Sequence, residues 1–452
     1  MRRLALTLTT LPALLLLVAC SDAVPPRARD GWSSLDGVAA DRGARPDSGP
    51  SPDSAAPDAA PPPASPARYG EATHSPITAS VAAGLRAIAA RAPRNEQVFA
   101  KVGDSNTVNT GFLACLAGSS VDYGAHPELA ATVAHYKSDL GGGVTPFDRQ
   151  SLCAVVGWAA QKAITGSPSP LEQEVIAISP RVAVVMYGTN DIGFNDIWQF
   201  GAGMLTITDS LIARGVVPVL TTIPPRGDSA SADVQVPRYN AVVRGVAQGR
   251  QVPVIDLHRE LVLLPQQGLG SDGLHMNVKA GGCDLSAAGL QFGFNTRNLV
   301  TLQALARVKA ALDGAPAPDA TTPALQGAGT GASPYLIDAL PFTDLRSTKG
   351  WPERKLAGYS CASTTDESGP EVVYRLEVKQ ATNLRVIVFD GDDVDLDLHL
   401  LDDTGTASGC LARDDKLMTR ALQPGTYHLV VDTYVKSGVE LAGEYLLVVL
   451  AD

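Results

Sequence analysis

The 452-residue chain has no surplus of positive charge: 36 Lys and Arg stand against 47 Asp and Glu, a net charge of −11. It has no basic patch and no alternation of aromatic and basic residues, so a nucleic-acid partner is excluded. Aromatics are scarce, at 5%. After the first twenty residues no segment is long and apolar enough to span a bilayer. No Cys/His spacing resembles a zinc site. A Gly-x-Ser-x-Gly nucleophile elbow, which the α/β-hydrolase fold requires, is missing around Ser105, where the chain reads Gly103-Asp104-Ser105-Asn106-Thr107.

What is present begins with export. Arg2 and Arg3 precede an apolar stretch, Leu4 to Val18, too short for a comfortable membrane span. The stretch ends in Leu17-Val18-Ala19-Cys20, which resembles a bacterial lipobox. That resemblance implies a signal peptide over residues 1–19 and a lipidated Cys20. Several acyl chains on one residue make a stable anchor, and Ser21 after the cysteine implies sorting to the outer membrane. Residues 20–66 are mostly Pro, Ala, Ser and Asp. Such a segment buries too little apolar surface to offset its ordering entropy and reads as a disordered tether. A second Pro/Gly-rich stretch, 313–333, reads as a linker between two folded units, 67–312 and 334–452. From Pro334 onward there are 20 acidic and 11 basic residues, a net of −9, which leaves the rest near neutral.

An exported chain can form disulfides. Cys361 and Cys410 are alone in the last unit and are expected to pair. Cys115 has two candidate partners, Cys153 and Cys283.

In the first unit, strands are predicted at Val98–Val102, Arg181–Tyr187, Val216–Thr222 and Val252–Asp256. Helices lie between them, one precedes them with Ile77, Val81, Leu85 and Ile88 on one face, and the last is expected near Leu299–Leu312. This alternation predicts an α/β doubly wound, flavodoxin-like parallel sheet of about five strands with helices on both faces. Sites in such sheets lie beyond the C-terminal ends of the strands. There the chain carries Gly103-Asp104-Ser105, then Tyr187-Gly188-Thr189-Asn190-Asp191, and after the last strand Asp272-Gly273-Leu274-His275. A serine, a histidine and an aspartate in this order supply the nucleophile, base and orienting group for acyl transfer. Taken singly, Ser105 could be a helix N-cap, Asn190 a turn residue and Asp272-Gly273 a tight turn.

Together, the three segments resemble the SGNH hydrolases, the GDSL esterase/lipase family, over about Arg94 to Val308. The resemblance implies Ser105, Asp272 and His275 as catalytic residues. It implies an oxyanion hole of Ser105 N–H, the Asn190 amide and a glycine N–H. Gly157 is the best match for that glycine, with Gly141-Gly142-Gly143 a rival. The family often has Pro after its histidine, where this chain has Met276, a change expected at the pocket wall. Tyr187 and Trp158 read as core residues more readily than as pocket lining. Asp104 and Asp191 read as partners of backbone N–H groups, and His258 as structural. The implied reaction needs no metal or organic cofactor.

The second unit predicts an all-β antiparallel sandwich from strands at Glu371–Val378, Leu384–Phe389, Asp395–Leu400, Tyr427–Asp432 and Gly443–Val449. Its Gly369–Tyr374, Val394–Leu401 and Leu422–Asp432 segments resemble a pre-peptidase C-terminal domain. Some members of that class bind calcium, and Asp390, Asp392, Asp393, Asp395 and Asp397 cluster here. Carboxylates suit calcium, but a solvated acidic edge that discourages aggregation is the favoured reading. The expected function is an envelope-anchored serine esterase acting on short acyl esters, with O-acetyl carbohydrate the leading candidate substrate. The competing class is an inactive surface-binding lipoprotein that adheres through its sandwich. It would be favoured by a missing Ser, Asp or His, and none is missing. Acyl transfer to an alcohol is a third outcome. A monomer is expected, because no oligomerising helix is evident.

Overall fold

The computed structural model describes residues 66–452 except Asn195. The expected signal segment, Cys20 and all but the last residue of the 20–66 tether lie outside the described residues.

Four parallel strands form the first sheet: β1 (Asn95–Gly103), β2 (Pro180–Met186), β3 (Val217–Thr221) and β4 (Val254–Ile255), in the order β1-β2-β3-β4. Every residue of β2 and β3 is buried, as a parallel sheet covered on both faces requires. The Ala79–Ala89 helix starts at Thr78, whose side chain accepts the N–H of Val81. It buries Val81, Leu85 and Ile88 and packs beside the Gly293–Leu312 helix on one face. The Pro170–Ile178, Ile197–Ala213 and Val236–Arg250 helices cover the other face. In the second of these, Phe200, Met204, Ile207 and Leu211 are all buried, at helical spacing.

The sheet has four full strands where about five were expected. The fifth survives as a single parallel bridge between Ala154 and Gly103. There the N–H of Gly103 donates to Cys153 O at 3.0 Å, and the N–H of Val155 donates to Gly103 O at 3.1 Å. Counted as a strand, this segment is second in the chain and outermost in the sheet, giving the flavodoxin-like order 2-1-3-4-5. The order reverses beside β1, and Ser105 follows β1 directly.

The second unit holds β5 (Tyr335–Ile337), β6 (Phe342–Ser347), β7 (Val372–Val378), β8 (Thr382–Asp390), β9 (Leu396–Leu401), β10 (Cys410–Asp414), β11 (Leu417–Leu422), β12 (Gly425–Thr433), the short β13 (Val435–Lys436) and β14 (Val439–Glu440), and β15 (Glu444–Ala451). One sheet runs β10-β9-β12-β7-β5 and the other β11-β8-β15-β6. All pairings are antiparallel except β5 with β7. Tyr374, Leu376, Leu398, Leu429, Val386, Tyr445 and Leu447 fill the space between the sheets.

The sandwich is not held at a distance. Ile387, Phe389, Leu446, Val448 and Leu450, on the outer face of β8 and β15, belong to the same apolar core as the first unit. A Cβ placed on Gly201, Gly245 or Gly249 would lie 2.5 Å from Phe389, 2.8 Å from Leu446 and 2.3 Å from Leu345, respectively. These helix glycines let the sandwich approach the helix backbones. Trp198 Nε1 donates to Val388 O, Gln248 Nε2 to Thr343 O, and Arg250 pairs with both Asp209 and Glu444. The 313–333 segment, expected as a linker, is pinned as well: Asp319 accepts from Ile77 N–H and Arg307, and Thr322 Oγ accepts from Arg68 N–H. Its composition disfavours structure of its own, and its neighbours supply the partners instead.

Cys361 pairs with Cys410 and Cys115 with Cys283, while Cys153 is free and buried. Cys153 is held in the sheet-edge bridge, where burial pushes its thiol up to about 12. The Cys115–Cys283 bond joins the segment after Ser105 to the segment after His275.

Candidate active site

β1 ends at Gly103, where a Cβ would lie 2.3 Å from Thr107 Oγ and 2.6 Å from Met186 O. Only glycine lets the chain turn this close to β2. Asp104 then caps the four-residue Ser105–Val108 helix, its Oδ1 accepting the N–H of Asn106 at 3.0 Å. Ser105 is left half-buried at the sheet's edge.

The 272–275 loop reaches the same place. Asp272 Oδ1 accepts the N–H groups of Leu274 and His275, each at 3.0 Å. Gly273 has φ +66°, and a Cβ there would lie 2.6 Å from Asp228 N. His275 Nδ1 lies 2.7 Å from Asp272 Oδ2, and its Nε2 lies 2.9 Å from Ser105 Oγ. In the tautomer protonated on Nδ1, the ring donates to Asp272 and accepts from the Ser105 hydroxyl. The hydrogen bond from His275, with the two backbone N–H groups, holds the Asp272 carboxyl down at about 2. A hydroxyl, an imidazole and a carboxylate thus form one continuous relay across 170 residues of chain.

A model of the GDSL-like lipase/acylhydrolase family matches residues 102–280. Residues 102–280 are a GDSL-like lipase/acylhydrolase domain. Ser105, Gly157, Asn190, Asp272 and His275 all fall within this acylhydrolase domain. Its fold is similar to a GDSL-like lipase from Bacteroides thetaiotaomicron, at 14% identity and a TM-score of 0.33, covering 50% of this chain and 98% of that one. It is also similar to an acetylxylan esterase from Geobacillus stearothermophilus, at 14% identity and a TM-score of 0.33, covering 48% and 96%. The C-terminal part is similar to the pre-peptidase C-terminal domain of a Bacillus anthracis collagenase, at 21% identity and a TM-score of 0.17, covering 24% and 89%. No curated protein matches the chain.

Asn190 follows β2 through Gly188, and one of its amide N–H bonds donates to Trp158 O at 3.0 Å. This bond joins the Asn190 turn to the segment carrying Gly157. Gly157 is exposed, with φ +78°. In the rival glycine triple, the N–H groups of Gly141 and Gly143 both donate to Asp139 Oδ1, so they are engaged within their own loop. Asp191 accepts Ala160 N–H at 3.0 Å, a backbone role like that of Asp104. Tyr187 is fully buried and donates to Cys153 O. Trp158 is partly buried against the core. Met276 is 4% exposed, and its Cβ lies against Gly293. The residue after the histidine is therefore buried against the start of the last helix. His258 sits after β4, where burial lowers its pKa.

The residues that position the acylhydrolase site were not legible beforehand. The last helix starts at Gly293, six residues before its expected start. Its first turns carry polar side chains inward. Arg297 is 1% exposed, donates to Asn106 O at 2.7 Å and stacks on Phe112 at 3.6 Å. Asn295 bonds both N–H and C=O of Lys279, and Asn298 bonds Leu113 N–H, Gly111 O and Gly282 O. This helix therefore grips the nucleophile turn and the chain beyond the histidine loop together. The available signal was Asn295-Thr296-Arg297-Asn298, four consecutive polar residues in the first turns of the helix. Arg226 is the other missed residue: it donates to Thr189 O and pairs with Asp228, which braces Gly273.

Burial pushes Asp104 up to about 6 and pulls the facing Arg297 guanidinium down to about 9. Their mutual attraction opposes both shifts. Arg297→Met should leave Asn106 O and Thr107 Oγ1 without their buried donor, at a cost of roughly 1–3 kcal/mol. Thermal unfolding of the variant should show a lower midpoint, and an unchanged midpoint would refute this account.

Proposed function

We propose that the chain is an envelope-anchored serine esterase that removes short acyl groups, O-acetyl groups on carbohydrate foremost. The observation that carries this reading is the relay from Asp272 through His275 to Ser105, at 2.7 and 2.9 Å. Ser105 Oγ attacks the ester carbonyl while His275 Nε2 takes its proton. The oxyanion is received by the Ser105 and Gly157 N–H groups and by the second amide hydrogen of Asn190. His275 then protonates the departing alcohol, and water releases the acyl group by the reverse sequence. Asn190→Ala should lower kcat roughly 10²–10³-fold. A steady-state assay checks this, and an unchanged kcat removes Asn190 from the oxyanion hole.

Two features support a short acyl group on a bulky, polar alcohol. The relay is open to solvent, with the Asp272 and His275 side chains 52% and 33% exposed. A mainly apolar cavity of about 400 Å³, lined by residues such as Tyr69, Leu325, Leu336 and Phe342, includes none of the three catalytic candidates. Next to the Asn190 turn, a cleft of about 550 Å³, which also includes none of the three candidates, is lined by Ile192, Trp198, Arg226, Tyr239, Arg385 and Leu417. Mixed aromatic and polar walls of this kind suit a sugar. An ester panel tests the reading: acetate should be cleaved faster than octanoate, and acetylated xylo-oligosaccharides should release acetate. Faster cleavage of octanoate would remove the short-acyl specificity.

The anchoring rests on the Leu17–Cys20 motif. Cys20→Ala should move the protein from the membrane fraction to the soluble fraction on cell fractionation. Wild-type protein that is already soluble would overturn the anchor.

A further inference from the structure

A set of buried ionisable side chains that the esterase reading does not use lies on the outer face of the β10-β9-β12-β7-β5 sheet, under the loop that carries Tyr359 and Glu367. Asp397 and His399 lie on β9, and Asp432 lies opposite Asp397 on β12. Glu367 enters from the loop before β7. The side chains of Glu367 and His399 are 0% exposed, with His399 Nε2 at 3.4 Å from Glu367 Oε1. Neither Glu367 oxygen receives a hydrogen bond, and His399 Nε2 makes none. Donor atoms of Glu367, His399 and Asp432 all lie within 4.8 Å of one another.

The imidazole is fixed from both sides. Tyr359 stacks on it, with ring centroids 3.6 Å apart and planes 12° apart, and the Tyr359 hydroxyl donates to Asp432 Oδ2 at 2.5 Å. Cys410 Sγ, in its disulfide with Cys361, lies 4.0 Å from His399 Nδ1. A proton on Nδ1 would face this sulfur, leaving the Nε2 lone pair on the side of Glu367 Oε1.

Charge adds a second argument. The cation in the cluster is Arg413, at 2.5 Å from Asp397 and 3.7 Å from Glu367. Asp397 and Arg413 balance each other, which leaves Glu367 and Asp432 as two buried carboxylates beside a histidine. Buried carboxylates left unbalanced take up either protons or a cation, and one divalent cation would balance both.

We propose that Glu367, His399 and Asp432 form a buried structural site for one divalent first-row transition ion of the zinc type. One imidazole and two carboxylates are ligands for such an ion, at about 2.0–2.2 Å each. Tetrahedral coordination at that length separates ligand atoms by about 3.4 Å, which matches the Nε2–Oε1 spacing. Calcium takes 6–8 oxygens and does not suit a set that includes imidazole. The site also differs from the five-aspartate cluster. There, Asp390 accepts from Lys416 and Leu396 N–H, Asp392 and Asp393 are exposed, and Asp397 turns inward to Arg413.

The test uses the full chain, stripped with a chelator and retitrated with Zn²⁺ alone. About one zinc per chain should survive dialysis, and the unfolding midpoint should rise by roughly 5 °C. The same concentration of Ca²⁺ should leave the midpoint unchanged. His399→Gln and Glu367→Gln should each lose both the bound zinc and the midpoint rise while keeping the wild-type circular dichroism spectrum. If either variant misfolds, Co²⁺ added to the stripped wild type decides: it should produce visible d–d bands at a one-to-one endpoint. Absence of retained zinc and of any midpoint response would overturn the site. So would zinc uptake by both folded variants equal to that of wild type, or a Co²⁺ titration without bands.

Discussion

Replacing Ser105 with alanine should lower kcat for p-nitrophenyl acetate by at least roughly 10⁴-fold, with little change in KM. In the proposed mechanism the Ser105 hydroxyl forms the new bond to carbon, and no neighbouring group replaces it. It contributes little to ground-state binding, because its hydrogen bond in the resting site goes to His275. The fold should survive, since Ser105 is half-buried and Asp104, not Ser105, caps the helix. His275→Ala should cost nearly as much, and the double variant little more than either alone, because nucleophile and base act as a unit. Asp272→Asn should also be severe, since an amide cannot hold the imidazole in the same tautomer. Steady-state kinetics on the three variants, with circular dichroism as the control for folding, settles the matter. Equal inertness of wild type and Ser105→Ala across a broad ester panel would sink the esterase reading and favour the surface-binding one. Persistent activity in Ser105→Ala would show that another group is the nucleophile.

Truncation after Leu312 should yield an insoluble or largely unfolded catalytic unit, although the sequence reads as two units joined by a linker. The Ile197–Ala213 and Val236–Arg250 helices are apolar towards the parallel sheet and also towards the sandwich. Ten of the fifteen residues in the second helix are buried. Removing the sandwich uncovers Gly245, Gly249 and their neighbours and takes away Phe389, Leu446 and Leu345. Five side chains of the outer sandwich face sit in the catalytic core. At about 1.5–3 kcal/mol for each buried large apolar side chain, the loss is comparable to the whole stability of a typical domain. Gly249→Leu probes the same seam in the intact chain. Its Cβ would start 2.3 Å from Leu345, so the sheet must move or the helix must shift. Loss of a single cooperative unfolding transition, measured by calorimetry, is the expected result. A soluble, cooperatively folding 67–312 fragment with wild-type activity would refute the shared core.

Much of the site was legible because acyl-transfer chemistry needs particular residue types at particular strand ends. Ser105, Asn190 and the Asp272–His275 segment each follow a strand that hydrophobic runs identify, and the parallel fold brings those ends to one edge. The Arg297 clamp was not legible. An arginine in a helix is ordinarily exposed, and only the tertiary neighbours Asn106, Thr107 and Phe112 give its guanidinium a buried role. The partner of Cys115 was undecided for a related reason: two candidates were compatible with the chain order, and proximity in space selected Cys283.

The residues alone determined the alternation of strands and helices, the β-rich C-terminal region and the identity of the groups that meet at Ser105, because periodicity and reactive side chains are local properties. Tertiary structure decided the rest: the sandwich shares a core with the catalytic helices, the 313–333 segment is strapped down, and Glu367, His399 and Asp432 converge from three separate stretches of chain. Burial against a neighbour is a property of pairs of distant segments. It depends on shape and close approach, as at Gly201, Gly245 and Gly249, and no single segment records it.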